Sequence, residues 1–126
     1  MVVDDQLPFR SAARALLRRI KEFDLVAEAE SGEQAIEFAR EHRPDLVLMD
    51  INMGAVDGIE ATQRIIEASP ATMVILVSTY GEADLPARAR TSGASAYVNK
   101  DELTPGIVRE LWERGGDPNW RGHNAD

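Results

Sequence analysis

Two unbroken apolar runs, Leu46-Val47-Leu48-Met49 and Met73-Val74-Ile75-Leu76-Val77, constrain the fold of this chain more than any other feature. A strand with one face in water alternates apolar and polar residues, so runs without alternation belong to strands covered on both faces. Segments with helical spacing lie around them: Phe9, Ala13, Leu16 and Ile20, then Ala35, Ile36 and Ala39, then Ile59, Thr62, Ile65 and Ile66. Val2-Val3, the alternating stretch Leu25 to Ala29, and Ala96-Tyr97-Val98 supply three more strand candidates. Each strand is thus followed by a helix.

Local punctuation supports this order. Ser31 with Gln34 and Asp57 with Glu60 have capping-box spacing, and Pro8 and Pro105 suit first helical turns, the latter after a Thr104 cap. Gly93 suits a helix stop before the fifth strand. The stretch Pro86 to Ser92 has little apolar surface, with Arg90 where an apolar residue is expected, and predicts a short fourth helix. The last helix runs near Thr104 to Arg114. Five βα units with buried strands imply an α/β fold with a doubly wound parallel sheet, right-handed crossovers and helices on both faces. Beyond residue 114 the periodicity ends, which divides the chain into a domain over 1–114 and a C-terminal tail over 115–126. Trp120 in that tail is either disordered or docked back on the domain.

Composition narrows the function. At 126 residues the chain can bury a real core as one domain, and with no cysteine it excludes thiolate metal sites and thiol chemistry. No apolar run is long enough to span a membrane as a helix, and the acidic start does not fit a signal peptide, so a cytoplasmic protein is expected. The 22 acids against 14 bases, net charge −8, argue against phosphate-backbone binding by these residues. Contact with DNA would require an output domain outside this sequence.

In an open parallel sheet, ligands bind beyond the carboxyl ends of the strands. Asp4 and Asp5 follow the first strand, Asp50 the third, Ser78 and Thr79 the fourth, and Lys100 the fifth. Clustered carboxylates stay ionised only beside a cation, and an oxygen-only set favours Mg²⁺ over zinc. Asp50 suits a nucleophile that forms an aspartyl-phosphate, with Lys100 and the Ser78 hydroxyl steadying the incoming phosphoryl group. Lysine usage sharpens this, because twelve of the bases are Arg and only Lys21 and Lys100 are Lys. A Mg²⁺-dependent phosphohydrolase would be expected to carry a second acid two residues after the nucleophile; position 52 is Asn, so no enzyme is expected.

These residues resemble the receiver domain of two-component response regulators, in particular receivers that carry a helix-turn-helix output domain of the LuxR type. The resemblance covers about residues 2 to 112. It rests on Val3-Asp4-Asp5, Pro44 to Met53, Asp57-Gly58-Ile59-Glu60-Ala61-Thr62, Val77-Ser78-Thr79-Tyr80, and Gly93 to Lys100. It implies a flavodoxin-like (βα)5 fold with strand order 2-1-3-4-5. Asp50 then matches the phospho-acceptor, Asp5 the direct Mg²⁺ ligand with Asp4 beside it, and Asn52 the residue whose backbone carbonyl completes the protein ligands. Ser78 matches the phosphoryl-binding hydroxyl and, with Tyr97, the switch pair, while Lys100 matches the phosphoryl-binding lysine. A sensor histidine kinase is the implied partner, a homodimer is compatible, and the reading that competes is a receiver-like module that binds or dimerises without phosphorylation. Gly54 stands where the family usually has Pro. Arg10, Arg14 and Arg18 form a stripe like the kinase-docking side of receivers, for which a plain solvated face is the commoner explanation.

Overall fold

The computed structural model of the protein describes residues 1–53 and 56–122. Five parallel strands, β1 (Val2–Val3), β2 (Glu28–Ala29), β3 (Leu46–Asp50), β4 (Met73–Ser78) and β5 (Ala96–Asn99), form one sheet in the order β2-β1-β3-β4-β5. This is the flavodoxin-like order that the resemblance implies. The connecting helices are α1 (Leu7–Arg18), α2 (Gly32–His42), α3 (Gly58–Ala68), α4 (Ala87–Arg90) and α5 (Pro105–Arg114), and a further short helix, α6 (Pro118–Gly122), follows.

The unbroken runs behave as their composition requires. Val47, Met49, Val74 and Leu76 point into a core shared with Ala35, Ile59, Ala61 and Ile65 of α2 and α3. Leu48, Ile75, Val77 and Val98 point the other way, against Ala13 and Leu17 of α1 and Val108 of α5. All six residues of β4 are buried, so the sheet is covered on both faces.

The caps form as the spacing predicts. Ser31 accepts the Gln34 N–H, Asp57 the Glu60 N–H and Thr104 the Ile107 N–H. The Gln34 side chain reaches back to the Glu30 N–H at 3.0 Å, one residue earlier than a standard capping box uses.

Two elements differ from the sequence expectation, β2 and the stop at Gly93, while the fourth helix is short as expected. Only Glu28–Ala29 of the Leu25 to Ala29 stretch pairs as a strand, because β2 is an edge whose sole neighbour β1 offers two residues, Val2 opposite Glu28 and Val3 opposite Ala29. The fourth helix is a single turn, with Ala89 as its one buried residue. Gly93, at φ 98°, lies three residues beyond α4 in the turn that enters β5, whereas the left-handed residues that directly stop a helix are Arg43 after α2, at φ 45°, and Gly115 after α5, at φ 74°.

The region beyond residue 114 also takes up structure. The Asp117 N–H donates to the Ser95 carbonyl at 2.9 Å, and α6 brings Trp120 against the domain, where it is buried. Trp112, by contrast, sits half-exposed on α5, edge-on to Phe23.

Candidate functional site

The carboxyl ends of the strands bring the acids together. Asp4 and Asp5 follow β1 directly, and Asp50 is the last residue of β3, the neighbouring strand. One carboxylate oxygen from each of Asp4, Asp5 and Asp50 lies within 4.8 Å of the others. Asp4 is fully buried, Asp50 nearly so, and Asp5 faces solvent at the mouth.

Lys100, immediately after β5, reaches across the edge to this cluster. Its Nζ donates to Asp4 Oδ2 at 2.7 Å and stands 3.5 Å from Asp50 Oδ1. Asp4 Oδ1 accepts the Gln6 N–H at 2.8 Å, so both oxygens of this buried carboxylate are engaged. The Lys100 ammonium also lies 4.4 Å from the centre of the Phe9 ring, a cation–π distance. Burial, with Asp4 adding to it, pushes the Asp50 carboxyl up to about 6, against the opposing pull of Lys100 and with a further upward push from Asp5.

This donor set fits a hard divalent cation. It is made of oxygens alone, three carboxylates share one small space, and the upward push on Asp50, which burial leads and Asp4 and Asp5 add to, is one that a cation would relieve. Asp5, exposed at the mouth, and Asp50, at the base, are the carboxylates best placed to share an ion while Asp4 remains paired to Lys100. Asn52 lies in the loop after β3, exposed and two residues beyond Asp50. Gly54, in the same loop, lies outside the described residues.

The other side of the pocket is the end of β4. Ser78 is buried, and its Oγ accepts the Tyr80 N–H at 3.1 Å. The Tyr97 hydroxyl donates to the Ser78 carbonyl at 3.2 Å and also to the Tyr80 carbonyl. The two switch residues named from the sequence are therefore joined through the loop that follows β4. Asn99 adds a side-chain N–H to the Tyr80 carbonyl at 3.2 Å.

The loop after β3 is seated by a close approach. A Cβ on Gly58, the first residue of α3, would stand 1.9 Å from the Asp50 carbonyl oxygen, and the Gly58 N–H donates to Ile51 at 2.8 Å. Only glycine lets α3 start this close to the acceptor strand. Asp57, which caps α3, also pairs with Arg88 of α4, and that bond leads the influences holding its carboxyl below the usual range against burial.

Sequence reasoning brought Asp4, Asp5, Asp50, Ser78 and Lys100 to one edge, and the structure places them there. It missed three contributors, Phe9, Arg10 and Arg14, and left Trp120 open between disorder and docking. Phe9 reads as one more apolar residue of α1, yet its ring supports Lys100; its place in the first turn after the acidic pair was the available signal. Arg10 and Arg14 read as an exposed stripe, yet Arg10 donates to the Asp4 carbonyl at 2.8 Å and Arg14 pairs with Glu28 at 2.7 Å. Trp120 carried no positional signal, because its segment has no periodicity.

Comparison with known proteins agrees with this geometry. The family model described as response regulator receiver domain matches residues 1–111. The transcriptional regulatory protein LnrK of Bacillus subtilis is 38% identical over 111 residues, covering 88% of this chain and 50% of its own. The response regulator UvrY of Escherichia coli K12 is 35% identical over 111 residues, with 88% and 51% covered. The chain thus spans about half the length of the curated relatives it matches. Among solved structures, the receiver domain of NarL from Mycobacterium tuberculosis superposes with TM-score 0.80 at 28% identity, covering 89% of this chain and 90% of that one. A LuxR-family two-component response regulator from Aurantimonas sp. SI85-9A1 also gives 0.80, at 32% identity over 90% of this chain and 81% of that one. With the order of its strands, its acidic edge and these similarities together, the chain belongs to the response regulator receiver domains of two-component systems.

Proposed function

We propose that Asp50 accepts a phosphoryl group from a sensor histidine kinase and that the chain acts as a phosphorylation switch rather than as an enzyme. The observation that carries this reading is the meeting of Asp4, Asp5 and Asp50 with a single ammonium, that of Lys100, 3.5 Å from the proposed acceptor. An Asp50 oxygen attacks phosphorus, the bond from phosphorus to the donor nitrogen breaks, and the product is an aspartyl-phosphate. Lys100 offsets charge on the transferred group, and the Ser78 hydroxyl turns from its loop to donate to a phosphoryl oxygen. Mg²⁺ held by Asp5, Asp50 and the Asn52 carbonyl, with Asp4 alongside, would neutralise the acids and orient the phosphoryl oxygens.

The same reading places the protein in the cytoplasm, where a kinase domain can reach it. No helix among the described residues is long and apolar enough to cross a membrane. Contact with DNA would belong to an output domain, since the acidic charge of this chain disfavours phosphate contact. Pairing with a second copy is compatible with this role.

The test is intact mass after incubation with Mg²⁺ and a small phosphoryl donor, for wild type and Asp50→Asn. A Mg²⁺-dependent adduct of one phosphoryl group, absent in Asp50→Asn, is expected. A folded protein that takes no adduct overturns the reading and favours a receiver-like module that binds partners without phosphorylation.

A further inference from the structure

The one large aromatic side chain of the C-terminal segment does not hang in solvent. Trp120 is 1% exposed and lies in a slot between α4 and β5. Its ring stacks on Tyr97, with centroids 6.1 Å apart and planes 28° from parallel. The Arg90 guanidinium carbon stands 4.4 Å from the indole centre, and Arg90 also donates to the Trp120 carbonyl at 3.4 Å. The approach to the slot is built: Gly116 passes so close to Ser95 that a Cβ would stand 2.7 Å from its carbonyl oxygen, and Asp117 donates to that carbonyl. The docking is imperfect, because the buried indole N–H meets no acceptor among the described residues. A buried donor without a partner weakens the docked state relative to an undocked one in which water supplies the bond.

We propose that the slot between Arg90 and Tyr97 is an intramolecular docking site for Trp120, and that docking of this segment opposes phosphoryl binding at Asp50. The inference rests on the phosphorylation reading of the acidic pocket. The link is a continuous chain of contacts. Trp120 stacks on Tyr97; the Tyr97 hydroxyl holds the carbonyls of Ser78 and Tyr80; and Ser78 Oγ accepts the Tyr80 N–H. Ser78 Oγ can keep the Tyr80 N–H while its own proton turns to a phosphoryl oxygen, and the coupling we infer is that drawing this hydroxyl into the pocket pulls on the loop whose carbonyls Tyr97 holds. Trp120 packs against the unshifted arrangement and so stabilises it. A group that favours one of two states weakens any ligand that requires the other, by the same factor in both directions.

Beryllofluoride with Mg²⁺ serves as the phosphoryl probe, titrated calorimetrically into the wild-type chain and Trp120→Ala. Trp120→Ala is expected to bind about fivefold or more tightly than wild type, with Trp120→Phe in between because it keeps part of the stack. In parallel, Trp112→Phe leaves Trp120 as the sole indole, and beryllofluoride is expected to raise its quenching by acrylamide. Equal affinities of wild type and Trp120→Ala, with binding intact, overturn the coupling and leave the phosphorylation reading standing. Quenching of Trp120 that beryllofluoride does not change overturns it equally, and decides alone if Trp120→Ala fails to fold. Absence of beryllofluoride binding to folded wild type and folded Trp120→Ala overturns both the coupling and the reading it rests on.

Discussion

Lys100 is bonded more closely to Asp4, at 2.7 Å, than to Asp50, at 3.5 Å. The lysine therefore neutralises a fully buried carboxylate in addition to facing the proposed acceptor. Removing one member of a buried ion pair strands the other charge in a poor solvent. Lys100→Met is expected to lower stability by roughly 3 kcal/mol in urea denaturation without Mg²⁺. Saturating Mg²⁺ should recover part of the loss, because a divalent ion then faces the same acids.

Asp50 makes a prediction in pH. Its folded carboxyl titrates at about 6, whereas in the unfolded chain it titrates near the ordinary carboxylate value of about 3.9. Between those values the folded state holds the proton and the unfolded state has lost it, so this residue's contribution to stability falls as pH rises and levels off above about 6. Asp50→Asn lacks that titration. It should match wild type below about pH 4 and exceed it above pH 6, by on the order of 1–2 kcal/mol. Thermal melts of the two proteins across that window check the sign.

The contact at Gly58 predicts a defect that reaches the site through the backbone. Gly58→Ala forces a Cβ to within 1.9 Å of the Asp50 carbonyl unless α3 or the end of β3 moves. The expected cost is roughly 2–3 kcal/mol, accompanied by weaker beryllofluoride binding, since the displaced strand end carries Asp50. A variant with wild-type melting and binding would show that α3 shifts freely.

Thr104→Ala provides the contrasting case. Thr104 accepts the Ile107 N–H at 3.1 Å at the exposed start of α5. Loss of that cap should cost about 1 kcal/mol, while the yield of phosphoryl adduct at Asp50 by intact mass remains that of wild type.

The parts of this molecule that were legible in the sequence are those fixed by dense, local signals. Leu46 to Met49 and Met73 to Val77 have to be covered on both faces, and five βα units then carry Asp4, Asp50, Ser78 and Lys100 to one edge whatever the details of the loops. The extent of β2 was not legible, because an edge strand ends where its neighbour does, and that length is a property of β1. Trp120 was legible only as an alternative between order and disorder. Its burial depends on Arg90 and Tyr97, thirty and twenty-three positions away, and an arginine in a weak helix gives no hint that it will cover an indole. The Arg14 pair with Glu28 was hidden for the same reason, since it joins α1 to the edge strand across fourteen positions.

Of these features, the central placement of β1 bears on how the molecule assembles during synthesis. Val2 pairs with Glu28 on one side and with Leu48 on the other, so β1 has only its edge neighbour β2 until β3 has been made. Until β3 emerges, the valines of β1 can pair only with the two residues of β2 and lack the larger sheet that buries them. Pauses in translation that delay the emergence of β3 (Leu46–Asp50) would prolong that interval, and pauses after it has emerged would not.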